Sequence, residues 1–243
     1  MSEKKFNIAV LIDGDNAQAT LIKEIITEVS KYGKATIRRI YGDWTSSTMK
    51  SWKDVLNEYS INPIQKFSYT KSKNSTDSAL IIDAMDILHN KSVEGFCIVS
   101  SDSDFTGLAK RIREEGLFVM GIGKKITPIA FVNSCEIFTF SENIDLKENK
   151  ENIENEKIQK PSSKLTDEVL ELIDKAFEIS TNEEEQTFIA NVGGSLRKIN
   201  PSFDARTYGF KNLSELFRNI TKYEVIKNEV NGLNHPLVKL KTQ

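Results

Sequence analysis

Cysteine is scarce in this 243-residue chain: Cys97 and Cys135 are the only two. They sit in the apolar runs Phe96-Cys97-Ile98-Val99 and Cys135-Glu136-Ile137-Phe138, with no CxxC spacing and no nearby histidine pair. Both therefore read as reduced core residues, not as a disulfide or a zinc site. Long apolar runs are also missing. No segment approaches the ~20 residues of a membrane span, and Met1-Ser2-Glu3-Lys4-Lys5 passes into a strand-like segment without a secretory apolar region. The expectation is a cytoplasmic protein with no membrane partner. Charge of one sign is not in excess either: 33 Lys and Arg against 35 Asp and Glu give a formal net charge of −2. That excludes a histone-like basic protein and confines any nucleic-acid contact to local patches. What the chain does have is 39% hydrophobic residues, enough at this length for one large core or two smaller ones.

Two textures meet near residue 147. Up to Phe140, strand-like runs (Phe6–Ile12, Thr36–Tyr41, Pro63–Phe67, Gly95–Ser100, Leu117–Ile122 and Glu136–Phe140) alternate with amphipathic helical stretches. The helical stretches are Ala17–Ser30, Thr48–Tyr59, Thr76–His89, Phe105–Glu115 and a shorter one around Pro128–Val132. Alternation of this kind predicts an α/β fold with a three-layer parallel sheet. Residues 147–163 are dominated by Lys, Glu and Asn and predict a charged flexible linker between a domain at 1–146 and a smaller one at 164–243. In the smaller domain, helical periodicity covers Thr166–Ile179, Thr187–Ile199 and Leu213–Ile220, with Gly193-Gly194 weakening the second. Strands Tyr223–Ile226 and Leu237–Leu240 follow around the turn Val230-Asn231-Gly232-Leu233. Helices followed by a hairpin predict a small winged-helix-like module.

Ligands of parallel α/β sheets gather beyond the carboxyl ends of the strands. Acids stand at those ends here: Asp13-Gly14-Asp15-Asn16 after the first strand and Ser101-Asp102-Ser103-Asp104 after the fourth, while Asp77 opens the third helix. Converging carboxylates repel one another unless a cation compensates, and hard Mg²⁺ or Mn²⁺ suits oxygen ligands. Such an ion activates water and offsets charge on a phosphate, which is metal-assisted phosphodiester hydrolysis. Asp13 and Asp102 are the expected principal ligands, Asp77 and Asp104 additional or water-mediated ones, and Asn16 a substrate donor or an orienter of Asp13. Helix capping explains Asp77, Asp102 and Asp104 singly, and turn formation around Gly14 explains Asp13 and Asp15. Neither requires the acids to coincide at strand ends. Asp83 and Asp86, further along the third helix, read as exposed-face acids.

The ordered set Ile12-Asp13-Gly14-Asp15-Asn16, Ser75-Thr76-Asp77 and Ser100-Ser101-Asp102-Ser103-Asp104-Phe105 resembles the NYN domain of LabA-like proteins, a branch of the PIN-like nuclease superfamily. Over residues 6–141 the resemblance implies a PIN-like Rossmannoid sheet, a Mg²⁺ or Mn²⁺ site at Asp13, Asp77, Asp102 and Asp104, and RNA as substrate. Arg39-Ile40-Tyr41-Gly42-Asp43-Trp44 is similar to the family's second-strand segment, which makes Asp43 and Trp44 rim candidates. The stretch from Phe203 to Phe217 is similar to the LOTUS, or OST-HTH, domain, a winged-helix-like module that binds RNA or protein. A protein partner through this module, and a homodimer by analogy with PIN-like domains, are further implications.

Substrate-binding candidates are Trp44, Lys71 and Lys73 in the loop before Asp77, Lys124 after the fifth strand, and Lys198, Arg206 and Lys211 in the C-terminal module. Tyr208 and Phe210 could stack on bases there, although Phe210, Leu213, Leu216 and Phe217 fall at core-forming helical spacing. The function these features favour is a metal-dependent endoribonuclease with a C-terminal RNA-binding module. A catalytically silent RNA-binding adaptor is the main alternative. A haloacid-dehalogenase-type phosphatase is a weaker one, since Asp13-Gly14-Asp15 is followed by Asn16 where that family generally has Thr or Val.

Overall fold

Five apolar residues in succession, Ile8 to Ile12, are fully buried on β1 (Phe6–Asp13), because a parallel sheet covered by helices on both faces hides both sides of its central strands. The computed structural model describes residues 6–66, 74–145, 165–181, 186–230 and 232–241. The chain divides into two compact units, residues 1–149 and 150–243. The first is built on β1, β2 (Gly33–Gly42), β3 (Asn62–Gln65), β4 (Gly95–Val99), β5 (Phe118–Gly123) and β6 (Ile137–Phe140). They form one parallel six-stranded sheet in the order β3-β2-β1-β4-β5-β6. The strand order reverses between β1 and β4, which pair with Ile12 opposite Val99. Their diverging carboxyl ends open the crevice where such sheets bind ligands.

Helices α1 (Ile22–Val29) and α2 (Lys50–Glu58) and the short α6 (Ser141–Ile144) cover one face, packing Ile22, Ile25, Val29, Trp52 and Ile144 on Val10 and Ile12. Helices α3 (Asn74–His89), α4 (Thr106–Glu114) and α5 (Ile129–Ser134) cover the other, packing Leu80, Ala84, Leu108, Ile112 and Phe131 on Ala9, Leu11 and Ile98. Both cysteines are buried in these cores, where burial pushes their thiols well up. The sequence-predicted helices at Ala17 and Thr48 open as 3-10 turns, Ala19–Leu21 and Ser47–Met49, before the α-helix proper. Phe67, the expected end of β3, lies outside the described residues, as do Lys71 and Lys73 and the predicted linker.

Asp83 is a correction to the expectation of an exposed acid. It packs between α3 and β2, where Arg39 Nη1 donates to its Oδ1 and the Tyr41 hydroxyl to its Oδ2. Arg39 and Tyr41 are two apart on a strand, so they share the face that α3 covers. Asp86 is exposed as expected.

In the second unit, α7 (Asp167–Ser180), α8 (Ile189–Ile199) and α9 (Leu213–Asn219) pack around Ile173, Phe177, Val192, Leu196, Phe217 and Val238. Antiparallel strands β7 (Gln186–Phe188), β8 (Tyr223–Ile226) and β11 (Leu237–Leu240) form a sheet in the order β7-β11-β8, and β9 (Glu229–Val230) pairs with β10 (Leu233–Asn234) toward the turn. The predicted helix from Thr187 starts two residues later: Thr187 and Phe188 pair with Val238 and Leu237 instead. Gly193 does not break α8, because a Cβ there would come within 2.7 Å of Leu213 Cδ1. The close approach of α9 offsets the low helix propensity. Among the described residues no helix is long and apolar enough to cross a membrane.

Candidate active site

The carboxyl end of β1 turns sharply after Asp13. Gly14 N donates to the Tyr41 carbonyl at 2.9 Å, and a Cβ on Gly14 would lie 2.7 Å from that oxygen, so only glycine lets the chain pass this close to β2. The turn then folds back, with Ala17 N donating to the Asp13 carbonyl at 2.9 Å. Asp13 is 1% exposed, and its carboxylate is fully engaged. Asn16 Nδ2 and Ser100 Oγ donate to Oδ2 at 2.6 and 2.7 Å, and Asp15 N donates to Oδ1 at 3.2 Å. Burial raises the Asp13 pKa, and the Ser100 and Asn16 hydrogen bonds oppose that rise. The Asn16 amide thus contacts the Asp13 carboxylate directly.

Ser100 was not singled out from the sequence. It is 2% exposed at the end of β4 and accepts from Asp102 N at 3.1 Å while donating to Asp13, so one hydroxyl ties the β4 loop to the β1 loop. The available signal was a hydroxyl residue closing a fully apolar strand, where a buried side chain must find a polar partner.

Asp102 and Asp104 enter from the 3-10 turn Ser103–Phe105, and Asp77 from the first turn of α3. Asp102 is the N-cap of that turn, accepting from Asp104 N at 3.0 Å, so the capping reading holds alongside the clustering. Carboxylate oxygens of Asp77, Asp102 and Asp104 lie within 4.8 Å of one another. The sequence ranked Asp13 with Asp102 as principal ligands; the geometry groups Asp77 with Asp102 and Asp104 and sets Asp13 beside them. Three converging carboxylates at this spacing fit a hard divalent cation, whose ligand oxygens lie at about 2.1 Å for Mg²⁺.

The electrostatics point the same way. Burial, with the charges of Asp13, Asp102, Asp104 and Asp15, pushes Asp77 up from 3.8 to about 6. A folded-state pKa above the unfolded one contributes stability that is present below about 4 and lost as pH rises through about 6. We expect the metal-free melting temperature of Asp77→Asn to approach the parent's below pH 4, to exceed it by a margin that grows from about pH 4 to pH 6, and to hold that margin above. Differential scanning fluorimetry across that range in a chelator checks this, and a gap independent of pH would remove the repulsion.

Of the other candidates, Trp44 is half-buried at the end of β2, donating from Nε1 to the Ile64 carbonyl at 3.2 Å. Asp43 beside it accepts from Thr45 and Gln65, which hold its carboxyl below the usual range. Lys124 follows β5, its backbone N donating to Ser101 Oγ at 2.9 Å. In the second unit Lys198 and Lys211 are exposed, whereas Arg206 forks onto Asp204, with Nε and Nη2 at 2.9 and 2.5 Å from Oδ2. Phe210 is buried in the core, and Tyr208 packs on Phe203 with ring centroids 5.6 Å apart.

No curated protein matches. A solved structure of a protein of unknown function from Vibrio parahaemolyticus is similar at 18% identity and a TM-score of 0.49, covering 58% of this chain and 95% of that one. The OST-HTH/LOTUS domain family model matches residues 160–235. The NYN domain family model matches residues 7–143, more than half of the chain, and the protein therefore belongs to the NYN domain family, with an OST-HTH/LOTUS domain following.

Proposed function

We propose that this protein is a Mg²⁺- or Mn²⁺-dependent endoribonuclease whose C-terminal domain engages RNA. The observation that carries the reading is the convergence of Asp77, Asp102 and Asp104 at the mouth of the β1/β4 crevice. A divalent ion bound there would supply an activated water and offset the charge building on a scissile phosphate. Asp77, Asp102 and Asp104 would hold it. Asp13, kept in place by Asn16 and Ser100, fixes the β1 loop against the β4 loop and adds negative potential at the same point. Lys124 at the crevice rim is a proposed phosphate contact, as are Lys71 and Lys73, which lie outside the described residues, with Trp44 at the rim. Lys198 and Lys211 are the proposed cations of the C-terminal domain, with Arg206 held in its pair with Asp204. A phosphatase would need Asp13 as an accessible nucleophile, and at 1% exposure with its oxygens engaged it is poorly placed to attack.

The test is incubation of single-stranded and structured RNA, DNA and a phosphomonoester with Mn²⁺, for the parent and Asp102→Asn. The expected result is internal RNA cleavage by the parent, lost in the variant. Binding without cleavage would overturn the nuclease reading in favour of an adaptor, and phosphomonoester turnover would overturn it in favour of a phosphatase.

A further inference from the structure

Solvent-facing positions in a connecting segment are usually polar, yet the passage from β5 into α5 turns four apolar side chains outward. Ile126 is 82% exposed, the most of any large hydrophobic among the described residues, and Ile129 is 68% exposed. Pro128 and Ala130 are exposed beside them. The proposed chemistry uses none of the four. The segment is held firmly from beneath. Thr127, buried under the turn, donates to the Lys124 carbonyl from N at 2.9 Å and from Oγ1 at 2.6 Å. Lys125 N donates to both carboxylate oxygens of Glu142, at 2.9 and 3.2 Å, and Phe131 N donates to the Pro128 carbonyl at 3.0 Å. Phe131 and Val132 then anchor α5 in the core. An apolar patch on a fixed frame has little conformational freedom to lose on docking, which suits it to be an interaction surface.

The charges at the margin of the patch select its occupant. Lys124 and Lys125 lead into Ile126, the Glu142 carboxylate lies against the Lys125 backbone, and Asp145 shares a hollow with Lys124 and Glu142. The margin therefore carries as many acids as lysines, side by side. The phosphates of RNA or of an anionic lipid surface would meet the acids as well as the lysines, and isoleucine has no ring face on which a base could stack. A protein surface of one sign would match only half of the margin. A second copy of the same patch, turned about a two-fold axis, matches all of it, because each lysine then faces an acid while the isoleucines meet at the centre. We infer that this protein forms a two-fold dimer through the face of Ile126 and Ile129, with Lys125 of each copy directed at the partner's Glu142 and Asp145. The dimer needs neither metal nor RNA, so it stands apart from the nuclease reading. It does adjoin the carboxylates: α5 packs on the turn that carries Asp104, with the Phe105 and Phe131 rings 6.4 Å apart.

The experiment is sedimentation equilibrium of the full chain in a chelator, without RNA, at concentrations up to about 100 µM, where weak dimers are populated. The parent is expected to show a monomer–dimer equilibrium, and a monomer throughout would overturn the inference. Ile126→Asp combined with Ile129→Asp is expected to raise the dissociation constant about tenfold or more. Both side chains stand in solvent, and an acid at the first position of α5 suits the helix dipole, so the melting temperature should stay within about a degree or two of the parent's. Lys125→Glu, which sets acid against acid, is expected to raise the constant about fivefold. Because the C-terminal domain offers a second surface for association, a cysteine probe reads the point of contact. Cys97 and Cys135 are buried, so under mild oxidation Ile126→Cys is expected to yield a covalent dimer, and Ile82→Cys on the exposed side of α3 is not. A dimer that persists unchanged in the double Asp variant, that ignores Lys125→Glu, or that crosslinks through Ile82→Cys and not through Ile126→Cys would overturn this face as the interface.

Discussion

Asp77→Asn is expected to raise the metal-free melting temperature at pH 7.5 while abolishing Mn²⁺-induced stabilisation and lowering RNA cleavage by about 10³-fold or more. The two effects have opposite signs because one carboxylate serves opposed ends. In the metal-free fold, Asp77 is partly buried among Asp13, Asp102, Asp104 and Asp15, and its raised pKa reports the penalty for ionising there. Removing that charge, discounted for solvent screening, stabilises the fold by about 1 kcal/mol, or roughly 2–4 °C for a domain of this size. On the proposed function the same charge would be a metal ligand, and 10³ in rate corresponds to about 4 kcal/mol of lost transition-state stabilisation. Residues that strain a fold for function show this signature, whereas a residue kept for structure loses stability when removed. The substitution to Asn is isosteric, and Asp102→Asn keeps an acceptor for the Asp104 N–H, so neither variant should fail through loss of a cap. Thermal shift with and without Mn²⁺, beside single-turnover cleavage, measures both effects. A destabilised metal-free Asp77→Asn would mean that the acid is a helix-dipole partner and the cluster incidental.

The parallel sheet was legible because its signal is local. Buried strands read as unbroken apolar runs, and Asp13 and Asp102 break two of those runs at the carboxyl ends, where topology forces ligand sites. That Asp77, Asp102 and Asp104 gather was legible from those positions, and how Asp13 lies relative to them was not. Which carboxylates face one another depends on side-chain direction at a loop, and Asp13 is buried and accepts from Asn16, Ser100 and Asp15 while Asp77 joins Asp102 and Asp104. Ser100 escaped for the same reason: its importance lies in touching Asp13, 87 residues away. Phe188 read as helical because apolar spacing around it suits both periods, and only pairing with Leu237 decides for a strand. Asp83 shows the limit most plainly. Charged residues on a helix default to solvent, and nothing near Asp83 in sequence announces that β2 will present Arg39 and Tyr41 to it.

That hidden acid sets up the second large effect. Asp83→Ala is expected to destabilise the N-terminal domain by about 2–3 kcal/mol, which lowers its melting temperature by roughly 5–10 °C. Removing the carboxylate leaves the Arg39 guanidinium, 30% exposed, without its counter-ion, and leaves the hydroxyl of the fully buried Tyr41 without an acceptor. Burial and Asp83 both raise the Tyr41 pKa, so its hydroxyl is a donor at every accessible pH and cannot escape the loss by ionising. A fully buried pair would cost about 3–5 kcal/mol, and partial exposure trims that figure. Asp83→Asn keeps one acceptor and should recover part of the loss. The measurement is clean in the full chain because its two tryptophans, Trp44 and Trp52, both belong to the N-terminal domain, so tryptophan fluorescence in urea reports that domain alone. Asp83 lies on the same helix as Asp77, which ties the latch to the proposed metal site. Arg39 and Tyr41 hold α3 against β2, and with it the depth at which the first turn of α3 presents its carboxylate to Asp102 and Asp104. Asp83→Ala should therefore also weaken Mn²⁺ binding below the denaturation range, at temperatures where the fold is intact. Unchanged Mn²⁺ affinity beside the expected loss of stability would show that the latch secures the helix without setting the geometry of its first turn.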